Sequence, residues 1–185
     1  MSRIILLNKP FGVLAQFSSD GSHATLRDFV PIPNIYPAGR LDADSEGLVL
    51  LTDDGALQAR ISHPRHKLPK RYWVQVEGSP LPTAIATLAN GLDLGDFVTA
   101  PCQCKIIAEP EMLWPRDPPT RVRLAIPTTW LEITLREGKN RQVRRMTAKI
   151  GHPCLRLIRY AIGSWTIDGL LPGAWRSEEI HEYPK

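Results

Sequence analysis

The central segment of this 185-residue chain reads GRLDADSEGLVLLTDDGALQARI, from residue 39 to residue 61. Its first nine residues bring three carboxylates and one arginine together, and the apolar run 48–52 follows directly. A short apolar run between polar loops is typical of a buried strand. The sequence DDG then leads into a helical pattern over residues 56–61. The segment therefore predicts an acidic loop, a buried strand and a helix, in that order.

Similar patterns continue along the chain in both directions. Apolar and β-branched residues predict strands at residues 3–8, 48–52, 70–77, 98–107, 130–135 and 154–160. Helical spacing predicts helices at residues 56–61, 82–90 and 141–150, and one or two helical turns at residues 24–29. Tyr72, Val74 and Val76 share one face of the strand 70–77. The tail around Trp165 and Trp175 is predicted to be rich in turns.

Proline marks two stretches that cannot be regular helix. The sequence PIPNIYP at residues 31–37 must be extended or loop, because proline lacks the backbone donor and clashes with the preceding turn. Residues 109–127 contain five prolines, which predicts an irregular excursion at the surface.

Composition and length limit the class of protein. Hydrophobic residues are 43% and charged residues 23%, close to globular averages, and the length predicts one compact domain with at most two lobes. The apolar runs are too short for a membrane span or a secretory signal, which predicts a cytoplasmic protein. Three cysteines argue against a disulfide framework, and Cys102 and Cys104 are predicted to pack along a strand.

Positive charge concentrates between residues 136 and 159, where eight basic residues face one acid, Glu137, in a chain of net charge +4. Several of these cations fall in the first turns of a predicted helix capped by Asn140, where the helix dipole disfavours them. Arg141, Arg145 and Lys149 face away from the predicted core. This arrangement favours a site for RNA phosphate. The alternative is a solvated face with ion pairs, which needs acids nearby, and Glu137 alone qualifies in the local sequence.

The acidic loop has three interpretations. Asp42, Asp44, Glu46, Gly47 and Asp53 fall at positions 1, 3, 5, 6 and 12 of an EF-hand calcium loop, but the residue types at two positions and the flanking patterns fit poorly. A solvated turn held by an ion pair to the preceding arginine is the second interpretation. In the third, Asp42 is a nucleophile or base that a neighbouring guanidinium keeps ionised.

A carboxylate loop beside an RNA-binding helix would need to reach a base inside folded RNA. Such chemistry requires a flipped nucleotide and an aromatic side chain that stacks on it. Tyr72 is a candidate, although a lone strand tyrosine more often belongs to a core. The five histidines show no metal spacing, and serine-nucleophile, phosphate-loop and dinucleotide motifs are absent from the sequence.

At these residues the chain resembles the pseudouridine synthase family that includes the bacterial small-subunit and large-subunit rRNA enzymes. The matching stretches are NKPFGVL at 8–14, the segment 39–61, KRYWVQVEG at 70–78, WPRDPP at 114–119 and LREGKNRQVRRMTAKIGHPCLRLIR at 135–159. The proline-rich excursion and the pair Asn140-Arg141 favour a branch that acts on large-subunit rRNA.

The resemblance implies an α/β (α+β) fold with a mixed, largely antiparallel central sheet, flanking helices and a basic cleft. It implies that a specific uridine of 23S rRNA is isomerised to pseudouridine after its base flips into the cleft. Asp42 would be the catalytic aspartate, preceded by Arg40. Tyr72 would stack on the base, and Arg144 would pair with the aspartate.

The resemblance also implies how RNA is held and what else the reaction requires. Backbone contacts, which position RNA without reading sequence, are expected from Lys9, Lys139, Arg141, Arg145 and Lys149. No metal or organic cofactor is expected, since the reaction is an isomerisation. We expect one catalytic domain over residues 1–185 without a separate N-terminal RNA-binding module, acting as a monomer on rRNA without an obligate protein partner. The alternatives are a synthase for another RNA and a non-catalytic RNA-binding protein of ribosome assembly.

Overall fold

The computed structural model describes residues 1–66 and 68–185. Over these residues the chain forms eleven β-strands, three α-helices and two short 3-10 helices. Within the same residues, no helix combines the length and the apolar character needed to cross a bilayer. The chain divides into two compact units, of which the first is Met1–Leu68 with Arg159–Lys185 and the second is Pro69–Ile158.

The elements follow one another in this order. The strands are β1 (Ser2–Lys9), β2 (Val13–Leu14), β3 (Ala24–Thr25), β4 (Tyr36–Pro37), β5 (Glu46–Thr52), β6 (Lys70–Glu77), β7 (Gln103–Ile107), β8 (Thr128–Leu135), β9 (Cys154–Ile162), β10 (Trp165–Thr166) and β11 (Trp175–Ile180). The α-helices are α1 (Gly55–Ser62), α2 (Pro82–Ala89) and α3 (Gln142–Lys149). The chain passes from the second unit into the first within β9, after Ile158.

In the first unit, β1 lies between β5 and β11 and pairs with both in the antiparallel sense. The order of strands there is β11-β1-β5-β9, and β4 and β10 add short pairings to β5 and β9. Both β1 and β5 are apolar on two faces, as expected for strands inside a sheet. One face supplies Ile5, Leu7, Val49 and Leu51 to a core that also contains Leu41.

In the second unit, the strand order is β9-β6-β8-β7. Strand β6 pairs antiparallel with β8, with Tyr72 opposite Ile133, and β7 pairs antiparallel with the other edge of β8. The alternating burial of β6 places Tyr72, Val74 and Val76 in the core of this unit, as its sequence pattern predicts. Val143 and Met146 of α3 pack against the same core.

The predicted fold class is confirmed, since the sheet is largely antiparallel with a few helices. The six predicted strands and three predicted helices are all present, with differences at their ends. The predicted strand 98–107 begins only at Gln103, because the Thr99 amide and hydroxyl bond to Leu92 instead of to a sheet neighbour. Residues 24–29 form β3 and a 3-10 helix rather than a regular helix.

One prediction about local structure is confirmed in part and another is wrong. The tail has turns at residues 163–164, 168–169 and 172–173, as predicted, but it also contains β11, a polar strand that pairs with β1 along its whole length. Helix α3 is capped by Arg141 rather than by Asn140, and Arg141 adopts the left-handed conformation with φ +53°. Strand β11 has no local signal, because a polar strand at a sheet edge depends on its neighbour for its hydrogen bonds.

The excursion 109–127 is irregular and mostly exposed, as its prolines predict. Two arginines replace the missing backbone hydrogen bonds. Arg116 donates to the carbonyl oxygens of Pro118 and Pro119 at 2.8 and 3.1 Å. Arg156 donates to the Trp114 carbonyl oxygen at 3.0 Å, and its guanidinium lies 5.6 Å from the centre of the Trp114 ring.

Candidate active site

The acidic loop of the first unit lies between β4 and β5. Both flanking elements are strands, whereas an EF-hand needs helices, so the calcium interpretation is not supported. Glu46 belongs to β5 and is 2% exposed, which removes its carboxylate from the loop surface. Over the described ranges 1–66 and 68–185, no group of three or more metal-binding side chains is assembled.

Asp42 stands next to a core residue. Leu41 is buried in the core of the first unit, and Asp42 follows it as a half-buried residue of the loop before β5. The Ser45 amide donates to the Asp42 carbonyl oxygen at 3.0 Å and closes a tight turn. The backbone at Asp42 is therefore held by a buried anchor on one side and a turn on the other.

Two buried cations hold the backbone on either side of Asp42. Arg159, 4% exposed, donates from Nη1 to the Arg40 carbonyl oxygen at 3.2 Å and from Nε to the Leu48 carbonyl oxygen at 2.9 Å. The Lys9 ammonium lies 3.5 Å from the Ala43 carbonyl oxygen, which also accepts from the Gly12 amide at 2.7 Å. These bonds restrict the backbone of the loop, and preorganisation of this kind is a feature of active sites.

The prediction that Lys9 contacts RNA phosphate is wrong. Lys9 is 0% exposed, and its Nζ donates to the carbonyl oxygens of Pro10 and Val13 at 2.9 and 2.8 Å. Burial lowers the pKa of Lys9 to about 7, while the Glu46 carboxylate acts in the opposite direction. Lys9 is a buried structural cation that joins the turn after β1 to the acidic loop.

A stability measurement tests this role of Lys9. The unfolded chain keeps its lysine protonated up to about pH 10, whereas folding depresses the pKa to about 7, so the unfolded state binds more protons between these values. Stability from this site is therefore lowest below pH 7 and rises with pH. We expect the free energy of unfolding of wild type relative to Lys9→Met to increase between pH 7 and pH 9, by up to about 1.4 kcal/mol per pH unit.

Urea unfolding at a series of pH values measures this difference. Lys105→Met is the matched control, since the Lys105 side chain is 67% exposed and contacts Glu132 at 3.5 Å. A difference between wild type and Lys9→Met that stays constant with pH would contradict the proposed burial of this ammonium.

Tyr72 lies in the second unit, on the inward face of β6. It is 8% exposed and belongs to the core with Val74, Ile133 and Met146. Its side chain thus packs as a core residue, which was the alternative interpretation of this tyrosine. Its stacking on a flipped base stays a prediction.

A buried polar network that the sequence analysis missed supports the start of α3. Gln142 is 3% exposed, and its Nε2 donates to Glu137 Oε1 at 2.7 Å. The Gln142 Oε1 accepts from the Lys139 amide at 3.1 Å, and Glu137 Oε1 also accepts from the Ala100 amide at 2.8 Å. The pattern Glu137-x₄-Gln142 just before a helix was the available signal. The network explains why the turn before α3 is ordered without a side-chain cap.

The basic residues of the segment 136–159 have different environments. Lys139, Arg141 and Lys149 are exposed, and Arg144 is half-buried with its Nη1 3.7 Å from Cys154 Sγ. Arg156 and Arg159 are buried and bond to backbone carbonyl oxygens, so they do not belong to a surface cluster.

Arg145 forms an ion pair that the local sequence does not reveal. Its guanidinium donates to both carboxylate oxygens of Asp96, which lies 49 positions earlier in the chain. In the folded protein, Asp96 is thus a second acid beside this cluster, and the prediction that Glu137 alone is available is wrong.

The predicted site residues are divided between the two units. Lys9, Arg40 and Asp42 lie in the first unit; Tyr72, Lys139, Arg141, Arg144, Arg145 and Lys149 lie in the second. Within the first unit, Arg40 is exposed and lies in the acidic loop, two residues before Asp42. Within the second, four of the cations belong to α3 or its cap.

Comparison with known proteins places this arrangement in a family. Residues 3–149 match the family described as RNA pseudouridylate synthase. The chain belongs to this family. It is 54% identical over 174 residues to the ribosomal large subunit pseudouridine synthase E of Vibrio vulnificus, covering 94% of this chain and 74% of that one. It is 53% identical over 178 residues to the protein of the same name from Xanthomonas campestris pv. campestris, covering 95% of both chains.

Solved structures of pseudouridine synthases have the same fold. A crystal structure of a pseudouridylate synthase aligns with 97% of this chain and 71% of its own, with a TM-score of 0.79 and 29% identity. The pseudouridine synthase fold predicted from the resemblance is thus confirmed.

Proposed function

We propose that this protein isomerises a uridine of large-subunit ribosomal RNA to pseudouridine, with Asp42 as the catalytic residue. The observation that carries the substrate assignment is the 53% identity to the Xanthomonas protein named ribosomal large subunit pseudouridine synthase E, which covers 95% of both chains. Similarity across nearly the full length of both proteins supports a shared mode of RNA binding.

The restrained Asp42 loop supports the choice of catalytic residue. The reaction breaks the glycosidic bond to N1, turns the uracil and forms a bond from the ribose C1′ to carbon 5, which loses its proton as N1 gains one. A carboxylate can act in such a step as nucleophile or base without a metal. Asp42 is half-buried, and the backbone on both sides of it is held by Arg159 and Lys9, so the loop that carries the carboxylate needs little ordering.

The other site residues take supporting roles in the proposal. Tyr72 stacks on the flipped base, and Arg40 contributes positive charge beside Asp42. Lys139, Arg141 and Lys149 are exposed and contact the RNA backbone. The protein acts in the cytoplasm as a monomer whose partner is RNA.

Tritium release from carbon 5 tests the proposal. Large-subunit rRNA labelled at carbon 5 of its uridines is incubated with the purified protein, and small-subunit rRNA serves as the control. We expect stoichiometric release from the large-subunit RNA alone. Release from the small-subunit RNA alone would support the proposed reaction and contradict the proposed substrate. If neither RNA releases tritium although both bind, the proposed enzymatic activity is contradicted and a non-catalytic role in ribosome assembly is favoured.

Arg144→Ala is expected to lower kcat by about tenfold or more and to change the Kd for RNA much less. Arg144 is half-buried in α3, and a guanidinium that orients a catalytic carboxylate acts on turnover more than on binding. Single-turnover rates at saturating RNA, together with Kd values, separate the two effects.

Two further variants make this comparison sharper. Arg144→Lys keeps the positive charge and is expected to recover most of the lost turnover. Lys149→Ala changes an exposed position of the same helix, and it is expected to raise the Kd for RNA more than it lowers kcat. A defect of Arg144→Ala confined to binding would argue against this role.

A further inference from the structure

The turn between α2 and β7 brings an acid and an aromatic ring onto the basic helix of the second unit. Arg145 Nη1 donates to Asp96 Oδ2 at 3.2 Å, and Nη2 donates to the other carboxylate oxygen. Nη2 also donates to the Leu94 carbonyl oxygen at 3.2 Å. The Arg145 guanidinium and the Lys139 ammonium lie 5.4 and 5.9 Å from the centre of the Phe97 ring.

The turn holds Asp96 in this place through its own hydrogen bonds. The Leu94 amide donates to the Phe97 carbonyl oxygen at 2.9 Å, and Asp93 forms an isolated bridge with Val98. The Asp93 carboxylate accepts from the Gly95 amide at 2.8 Å. The carboxylate of Asp96 is therefore presented to Arg145 by an ordered turn, in a two-bond geometry that a phosphate group also forms with arginine.

The pair is open to solvent and to other ions. The side chain of Asp96 is 64% exposed and that of Arg145 is 35% exposed. Exposed pairs add little to stability and exchange readily with competing anions. An anion at this place would also meet Lys139 and the exposed Lys149, one helical turn beyond Arg145. One carboxylate thus neutralises a small part of a surface that attracts phosphate.

We infer that Asp96 occupies the position of an RNA phosphate on Arg145 in the free protein and is displaced when RNA binds. This inference rests on the proposed function, because it assigns the RNA backbone as the competing anion. Binding any RNA through Arg145 must first break the Arg145–Asp96 pair. Asp96 therefore weakens RNA binding in general, and an RNA must make further contacts to bind well.

Asp96→Asn tests this inference. The amide keeps the size of the side chain and removes the competing charge, so Arg145 becomes free for phosphate. We expect the Kd for protein-free large-subunit rRNA to fall about threefold to fivefold at moderate salt, since an exposed ion pair no longer has to be broken. The salt dependence of binding is expected to become steeper, as for an added phosphate contact. Filter binding over a range of salt concentrations measures both quantities.

Two variants distinguish this mechanism from a general charge effect. Asp93→Asn removes the same charge from the same turn, where the carboxylate accepts from Gly95 rather than from Arg145, and it is expected to change the Kd much less. In an Arg145→Ala background, Asp96→Asn is expected to give no gain in affinity, because the group that it releases is missing. A gain that persists there, or an equal gain from Asp93→Asn, would overturn the inference.

A purely structural role for the pair predicts a different result. If Arg145 and Asp96 served to hold the turn on α3, Asp96→Asn would lower the melting temperature and leave the affinity equal to or below that of wild type. Tritium release by the same preparations separates this failure from failure of the proposed function. If wild type converts uridine but Asp96→Asn shows unchanged affinity and salt dependence, the proposed role of Asp96 is refuted. The proposed function then still stands.

Discussion

Asp42→Asn is expected to stop pseudouridine formation while the protein still folds and binds RNA. An amide matches the carboxylate in size but is neither a nucleophile nor a base under these conditions, so kcat should fall by at least ~10³-fold. The loop backbone keeps its supports, because Leu41, Lys9 and Arg159 hold it without the Asp42 side chain. We therefore expect the melting temperature and the Kd for RNA to stay close to those of wild type.

Single-turnover tritium release measures the expected loss of turnover, and filter binding measures the Kd for RNA. Asp44→Asn is the matched control, since Asp44 is also half-buried and lies two residues further along the same loop. It is expected to keep most of the wild-type turnover. Equal losses in both variants would mean that the loop needs its negative charge in general. Substantial turnover by Asp42→Asn would remove Asp42 from the catalytic role.

Gly47→Ala is expected to destabilise the protein by about 3 to 5 kcal/mol, through backbone strain and overpacking together. Gly47 has φ +108°, a conformation that side chains disfavour. A methyl group there would lie 2.3 Å from the Arg159 carbonyl oxygen and 2.8 Å from the Arg159 nitrogen. Both atoms belong to the backbone of β9, so no change of rotamer can relieve the overlap.

The acidic loop offers a control that separates the clash from the backbone conformation. Gly39 also has a positive φ, +93°, but a methyl group there meets no atom within 4 Å. Gly39→Ala should therefore lower the free energy of unfolding only through the strained positive φ, by about 1 to 2 kcal/mol. Urea unfolding of both variants measures the difference. A Gly47→Ala protein as stable as Gly39→Ala would show that β5 and β9 do not approach this closely.

The clash at Gly47 also has a consequence for the site. Arg159 carries the guanidinium that holds the Arg40 carbonyl oxygen, two residues before Asp42. Any shift of β9 that accommodates Ala at position 47 moves this support. We expect the fraction of Gly47→Ala that folds to have lower turnover than Gly39→Ala. The close approach of two strands is thus coupled to the position of the acidic loop.

Much of the fold could be predicted from local patterns. The apolar run in β5, the alternation in β6 and the spacing of Val143 and Met146 in α3 each have a periodic signal that survives in the folded protein. Strand β11 has none, because WRSEEI is polar and becomes a strand only where β1 offers free hydrogen-bonding groups. Sheet edges of this kind depend on a neighbour that lies far away in sequence.

For the site, residue types could be predicted but their environments could not. The sequence identified Asp42 and the basic residues of 136–159 through composition and resemblance. It placed Lys9 among the RNA contacts, although a lysine at the end of a buried strand can also turn inward when several carbonyl oxygens surround it. Burial of a cation depends on acceptors from Pro10, Val13 and Ala43, and the last of these comes from another segment of the chain.

Local sequence accounts for the order of the longer apolar strands and the three helices, the acidic loop after a proline-rich stretch, the basic segment and the membership of a family. These are properties of neighbouring residues, and short-range sterics and hydrophobic periodicity record them. The pairing of charges depends instead on contacts that form when the chain folds. Arg145 meets Asp96 across 49 positions, and Arg159 reaches the Arg40 carbonyl oxygen across 119. Strand pairing and helix packing create these contacts, and the energy of a charge depends on the partner that folding brings to it.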